Sequence, residues 1–450
     1  MSTGEGGATH GRAVGKLQAL VRIPTVSHRD PERVDVEAFE RFGDELARQF
    51  PLLHEHLELT RVQEHGLLFR WPGRSAERPV VLMAHLDVVP VEGEWQHPAF
   101  SGDVVDGVIW GRGTLDDKGC LAGICEAVET LLERGHVPAQ DVWLSFGCDE
   151  EVMGSAAAAA VEVLRERGVE PWFVLDEGGA VAAGAFPGVT APVAVIGVAE
   201  KGATSVVLRA EGRGGHASTP PRNGPTVRIA RAVAALDASP LPARLADPTV
   251  ELFRRLAPHA PLPLRPVLAR ADRLRPALTQ LLLRLGPETA AMVRTTFAMT
   301  TLSGSPALNV IAGTATAGVN IRVMVDDTVE TVLAHVRRHA GDGVEVEVVE
   351  ADPASPVSPY STPGAAEPAF DLLTDCIGEV FPDAVPAPYV MMAATDSRHF
   401  AAICERVYRF APFRMSKAQR ESIHSFDEHL EVEAFLEGVE WYRLLLERLS

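Results

Sequence analysis

VVLMAHLDVVP, Val80 to Pro90, is the stretch from which the rest of the chain can be read. Its first five residues, Val80 to Ala84, are a short apolar run of the kind that forms a strand buried on both faces. The run ends on His85 and Asp87, and side chains two apart on a strand share a face. A metal-binding histidine commonly gives its other ring nitrogen to a carboxylate, which H-x-D at a strand end supplies. The same pair also makes an ordinary structural hydrogen bond, and the spacing alone leaves both open.

Outward from this strand, apolar runs alternate with helical patterns: a helix through Cys120 to Leu132, a strand Val142 to Phe146, a helix through Ala156 to Leu164 and a strand Phe173 to Leu175. That order predicts an α/β fold, a largely parallel sheet flanked by helices, with its chemistry beyond the carboxyl ends of the strands. Helical patterns over Val14 to Val21 and Val34 to Phe50 precede it, and an amphipathic helix from Val432 to Leu449 closes it. After about Glu200 the texture changes. Alternating segments at Thr204 to Ala210, Thr295 to Leu302 and Thr314 to Val325 predict an antiparallel, half-exposed sheet, hence an inserted α+β unit. The expected organisation is a catalytic domain over 1–199, an inserted lid over 200–326 and a return to the catalytic domain over 327–450. The Leu-, Arg- and Pro-rich stretch from Pro240 to Pro287 reads as a helical elaboration of that lid.

The 450 residues carry 61 acidic and 42 basic side chains, a formal net charge of −19. No run of Lys or Arg exceeds a pair, so a nucleic-acid partner is excluded. Five cysteines without a C-x-x-C pair point to reduced thiols and a cytoplasmic setting. The polar, Gly-rich start lacks an apolar signal core, and the longest uncharged stretch, Gly178 to Ala199, is too rich in Pro and Gly for a membrane helix. No membrane partner is expected.

Three further acidic clusters follow strands or turns. In WGRGTLDDKG, Trp110 to Gly119, adjacent carboxylates at Asp116 and Asp117 suit either helix capping or a carboxylate bridging two ions. In CDEEVMG, Cys148 to Gly154, three consecutive acids repel one another, which raises the pKa of at least one and suits a general base beside a metal ligand; a solvated acidic turn is the bland alternative. Asp176, in Leu175 to Gly178, sets another carboxylate just after a strand. His85, Asp116, Glu150, Glu151 and Asp176 thus fall near the carboxyl ends of successive strands of one sheet, where they can converge. His424, in IHSFDEH, joins them if the last segment returns to that edge.

HLDVVP, GRGTLDDKG, DEE, LDEGG, GGHAS, ALNVI, TDSRHF and IHSFDEH occur in the order of the dinuclear zinc peptidase family that includes aminoacylase, carboxypeptidase G, carboxypeptidase S and succinyl-diaminopimelate desuccinylase. The chain resembles this family over almost its whole length. HLDVVPVEGEWQHPAFSG, VIWGRGTLDDKG and YRFAP look most like the branch of carboxypeptidase S and N-acyl-amino-acid hydrolases. The resemblance implies His85 and Asp176 on one zinc, Glu151 and His424 on the other, Asp116 as the bridge, Asp87 orienting His85, and a cis bond after Asp116. It implies Glu150 as the general base of an amide hydrolysis beside a free carboxylate, in a small peptide or an N-acyl amino acid. It further implies His216 as an oxyanion donor and Asn309, Arg322 and Arg398 as substrate contacts. Cobalt or manganese suits the same mixed nitrogen and oxygen ligands as the two zinc ions. A homodimer through the lid is the family default, although the long 240–287 stretch departs from compact lids, and Ala394 replaces a common glycine. The rival expectation, a catalytically silent scaffold that only holds metal or ligand, is disfavoured because every proposed ligand and Glu150 are present.

Overall fold

The computed structural model describes residues 3–449 apart from 153, 187 and 351–366, and side chains from residue 11 onward except that of 350. The first two residues of the polar start lie outside the described residues. The largest sheet has at its centre the parallel strands Gln140–Gly147, Ser75–His85, Phe173–Asp176 and Val407–Arg409. Val80, Leu82 and Ala84 pack on one face with Leu121, Ile124 and Val128 of the helix Lys118–Glu133 and with Trp441 and Leu445 of the helix Val432–Arg448. Val81 and Met83 pack on the other face, against Ala157, Ala160 and Leu164 of the helix Ser155–Glu166. The continuous apolar run therefore feeds two cores at once, as a strand covered on both faces must.

The sheet is mixed toward its edges. Gly66–Trp71 pairs antiparallel with Gln140–Gly147, Glu58–Val62 pairs antiparallel with Gly66–Trp71, and Val193–Glu200 meets Val407–Arg409 antiparallel. Among the described residues Val385–Met391 pairs only with Val193–Glu200, to which it runs parallel.

The second sheet is antiparallel as expected: Thr296–Ser303, Thr314–Val323, Gly202–Glu211 and Glu345–Glu350, in that order. The helices Pro225–Ala238 and Val329–Ala340 bury Ile229, Leu236, Val332 and Val336 against Val206, Leu208, Val319 and Ile321. A boundary at 326 therefore falls inside this smaller unit, because the helix and the fourth strand that complete its core come after it. The segment 240–287 also departs from expectation. Its helices Asp247–Leu256 and Arg275–Leu285 bury Leu252, Phe253, Leu256 and Leu278 with Val193, Val385 and Ala387 of the large sheet. The cause lies in the strand Val385–Met391, whose Val385 and Ala387 side chains need apolar cover on this face. Among the described residues no helix is long and apolar enough to cross a membrane.

Candidate metal centre

Three of the central parallel strands end at one rim. His85 closes Ser75–His85, Gly147 closes the strand that leads into Asp149, Glu150 and Glu151, and Asp176 closes Phe173–Asp176. The turn carrying Asp116 and Asp117 enters the helix Lys118–Glu133 at the same rim, and the bond between the two aspartates is cis.

Asp116 stands between two imidazoles. Its Oδ1 lies 2.9 Å from His85 Nε2 and its Oδ2 2.9 Å from His424 Nε2, which is also 3.0 Å from Glu151 Oε2. His85 Nδ1 is 3.0 Å from the Asp87 carbonyl oxygen and 3.4 Å from its carboxylate. The Asp87 carboxylate instead accepts the backbone N–H groups of Glu150 and Glu151, each at 3.2 Å. It thus ties the strand end to the acidic loop, while the tautomer of His85 rests on the carbonyl. Asp117 Oδ2 accepts the His85 N–H at 3.2 Å.

Two ligand groups result: His85, Asp116 and Glu177; and Asp116, Glu151 and His424. In each, the donor atoms lie within 4.8 Å of one another. The expected Asp176 is in neither group. Glu177, not Asp176, joins His85 and Asp116, because Asp176 Oδ1 accepts the Glu177 N–H and Oδ2 the Ser397 N–H, both at 2.9 Å. Asp176 is spent on backbone donors, and the next side chain faces the cluster.

The electrostatics suit cations. Burial pushes Glu150 well above the usual carboxylate range, and Asp396, Glu151 and Asp116 push it further. Burial also raises Glu177, aided by Asp116, Asp117 and Asp176. Burial opposes the charge on His85, yet Asp116 and Asp87 hold its pKa well above the ordinary value. The His424 pKa is pushed up to about 10, chiefly by its hydrogen bonds to Asp116 and Glu151. Carboxylates crowded at this density are stabilised by dications, and two sets of imidazole and carboxylate donors sharing one aspartate fit a pair of borderline ions.

The profile of peptidase family M20/M25/M40 matches residues 81–448. The chain belongs to this family. It is 36% identical over 448 residues to the N-fatty-acyl-amino acid synthase/hydrolase PM20D1 of Xenopus tropicalis, covering 96% of this chain and 84% of that protein. It is 32% identical over 440 residues to the probable carboxypeptidase S-like 2 of Dictyostelium discoideum, with the same coverage. In fold it resembles the M20 family metallo-carboxypeptidase Sso-CP2 of Sulfolobus solfataricus, at a TM-score of 0.69 and 17% identity over 97% of this chain and 98% of that one. The Bacillus subtilis YXEP protein, described as a dinuclear metal binding peptidase of the M20 family, gives 0.61 and 16% over 98% and 99%.

The remaining expected residues of this M20 member lie apart from the cluster or behind it. His216 is exposed on the short strand Gly215–His216, paired with Val310–Ile311, and its Nδ1 accepts the Ser218 N–H at 3.2 Å, which leaves the proton on Nε2. Asn309 is its neighbour, since the Ala217 N–H donates to the Asn309 carbonyl. Arg322 lies on the second sheet opposite Ala203 and Thr296. Among the described residues no hydrogen bond or ion pair joins these three to the cluster. Arg398 donates to the Thr395 carbonyl at 3.0 Å, and its charge lies close to buried Asp396, behind the acidic loop.

Two buried acids, Glu428 and Glu200, also escaped the sequence reading, and Asp117 takes a part that neither a helix cap nor a bridge describes. Asp117 holds His85. Glu428 accepts three backbone N–H groups of the Asp116 turn. Glu200 pairs with buried Arg409 at 2.8 Å and accepts the Thr395 N–H and hydroxyl. Glu428 and Arg409 lie in the IHSFDEH and YRFAP blocks, but nothing in their spacing distinguishes a buried acceptor from a surface charge.

Proposed function

We propose that this chain is a two-zinc hydrolase that cleaves an amide bond next to a free carboxylate, in an N-acyl amino acid or a small peptide. The observation that carries this reading is Asp116 shared by two groups of imidazole and carboxylate ligands with Glu150 beside it. His85 and Glu177 would hold one ion, Glu151 and His424 the other, and Asp116 both; cobalt or manganese suits the same donors. Bound ions of this kind acidify a water and polarise a carbonyl.

The chain's own residues supply the rest. Glu150, whose burial raises its pKa well above the usual carboxylate range, takes a proton from the attacking water and returns it to the leaving nitrogen. His216, protonated on Nε2, is the candidate donor to the developing oxyanion. Arg322, Arg398 and Asn309 are the candidate contacts for the substrate's carboxylate and carbonyl, Arg398 after release from its present partners. The similarity to the PM20D1 hydrolase and the carboxypeptidase S-like protein supports the choice of substrates. Exposure of His216 on the second unit supports a homodimer through that unit, in which it serves a partner's cavity. Five free cysteines accord with a cytoplasmic setting.

Glu150→Gln decides the matter: turnover of N-acyl amino acids and dipeptides falls by at least about 10²-fold while bound metal is unchanged. Retained turnover in that variant refutes the role of Glu150.

A further inference from the structure

Arg112 and Glu428 form a buried pair, 2% and 0% exposed, between segments 316 residues apart. Arg112 Nη1 donates to Glu428 Oε2 at 2.6 Å. Glu428 Oε1 accepts the N–H groups of Gly113, Leu115 and Asp116 at 3.1, 2.8 and 3.1 Å, three donors on the turn that carries the shared carboxylate. The other arm of Arg112 donates to the Ser425 carbonyl at 2.8 Å, and the Gly111 N–H donates to the Glu428 carbonyl at 2.9 Å.

Ser425 follows His424, which lies between the helix Lys417–Ser422 and the strand His429–Glu431 and has a φ of 59°. No regular element holds this half-exposed histidine. Its Nε2 nevertheless meets both Asp116 and Glu151. His85, by contrast, is fixed by its strand and by Asp117, and Glu177 directly follows a strand.

We propose that Arg112 and Glu428 are a clamp of positioning residues that sets the distance between the Asp116 carboxylate and the His424 imidazole, and with it the affinity of the second ligand group for its ion. The clamp acts through backbone groups on both sides and touches neither ion nor substrate. This rests on the two-ion reading above, and it adds an asymmetry which that reading does not contain: loss of the clamp weakens the site that holds His424 far more than the site whose other two ligands, His85 and Glu177, stand on or directly after strands.

The test uses full-length protein stripped with chelator and titrated with Co²⁺ and with Zn²⁺ against a chromophoric competitor, in wild type, Glu428→Gln, Arg112→Lys and the double variant. Glu428→Gln keeps the volume and one acceptor oxygen, and Arg112→Lys keeps the charge but not the two-armed geometry. The expected result is a second ion weakened about 10- to 100-fold in each single variant, with the first ion within about threefold of wild type and the Co²⁺ absorption of the second site altered. The double variant loses little more than either single one, because the two side chains work as a unit. A second ion bound as tightly as in wild type by both single variants overturns the proposal, and so does a melting temperature of the metal-free protein that falls while both affinities stay unchanged. If the wild type takes up no ion, the two-ion reading fails first and the clamp with it.

Discussion

Asp176 and Glu177 are adjacent carboxylates at one strand end, and replacing each by its amide separates a ligand from a scaffold. Asp176 accepts two backbone N–H groups, from Glu177 and Ser397, each at 2.9 Å. In Asp176→Asn only one oxygen remains, and the new NH₂ faces a backbone donor. The loss is one hydrogen bond to a charged group, about 1.5–3 kcal/mol, with metal content unchanged. Glu177→Gln behaves in the opposite way. Burial and four neighbouring acids raise the pKa of Glu177, so this group costs the metal-free fold stability once the pH rises above the ordinary carboxylate range. The amide removes that burden, and the metal-free protein at pH 8 becomes no less stable while the ion held with His85 is lost. Denaturant unfolding of the stripped proteins and metal analysis after reloading read both quantities. If Asp176→Asn loses an ion and Glu177→Gln keeps both, the geometric reasoning at this rim is wrong.

Metal uptake should release protons. The folded-state pKa of His424 is pushed up from 6.5 to about 10 by Asp116 and Glu151, so the metal-free imidazole is protonated at neutral pH. That pairing stabilises the metal-free fold fully below pH 6.5 and is lost as the pH rises through about 10; affinity for the ions therefore climbs from pH 6 to 9, and calorimetry in buffers of different ionisation enthalpy should show proton release, whereas a flat profile contradicts the assignment. Arg409→Met leaves Glu200 buried without its cation and should lower unfolding stability by about 3–5 kcal/mol, a loss under about 1 kcal/mol in denaturant titration being the contrary outcome. Leu252→Ala should cost about 2–5 kcal/mol with turnover per folded molecule unchanged, because Leu252 is wholly buried in the packing of the 240–287 helices on the large sheet; a cost near zero would return that segment to a free elaboration of the second unit.

The central strands were legible because a strand covered on both faces must be apolar at every position, and Val80–Ala84 and Val142–Phe146 have no other use for such composition. The strands Glu58–Val62 and Gly66–Trp71 went unassigned, the first because its charged and apolar residues alternate too briefly to define a period and the second because Gly66 and Arg70 cut its apolar run to three residues. His85, Asp116, Glu151 and His424 were legible from motif order, since each motif follows a strand or turn that delivers it to one rim. The choice between Asp176 and Glu177 was not legible, because it depends on which carboxylate the Ser397 N–H reaches from 221 residues away. The 240–287 stretch shows its amphipathic helices in its sequence but not the surface they cover, which is set by a strand that follows almost 100 residues later.

The acids of this rim divide into two sets by what they are given to bind. Asp87, Asp149 and Asp176 accept backbone N–H groups, which neutralise nothing but fix the loops in place, and Glu428 adds to its backbone donors the guanidinium of Arg112. Among the described residues Glu150 and Glu177 receive no hydrogen bond on their carboxylates, and Asp116 and Glu151 meet only imidazole nitrogen. Desolvating carboxylates without donors is costly, and a chain that spends its donors on the outer set leaves the inner one to external cations. Ion binding should therefore contribute directly to the folding free energy. The melting temperature should rise with free Zn²⁺ concentration at pH 7.5, and Asp87→Asn should diminish that rise by loosening the loop that presents Glu150 and Glu151. A melting temperature indifferent to Zn²⁺ would mean that the inner acids are neutralised by protons alone, and that the rim is built for something other than ions.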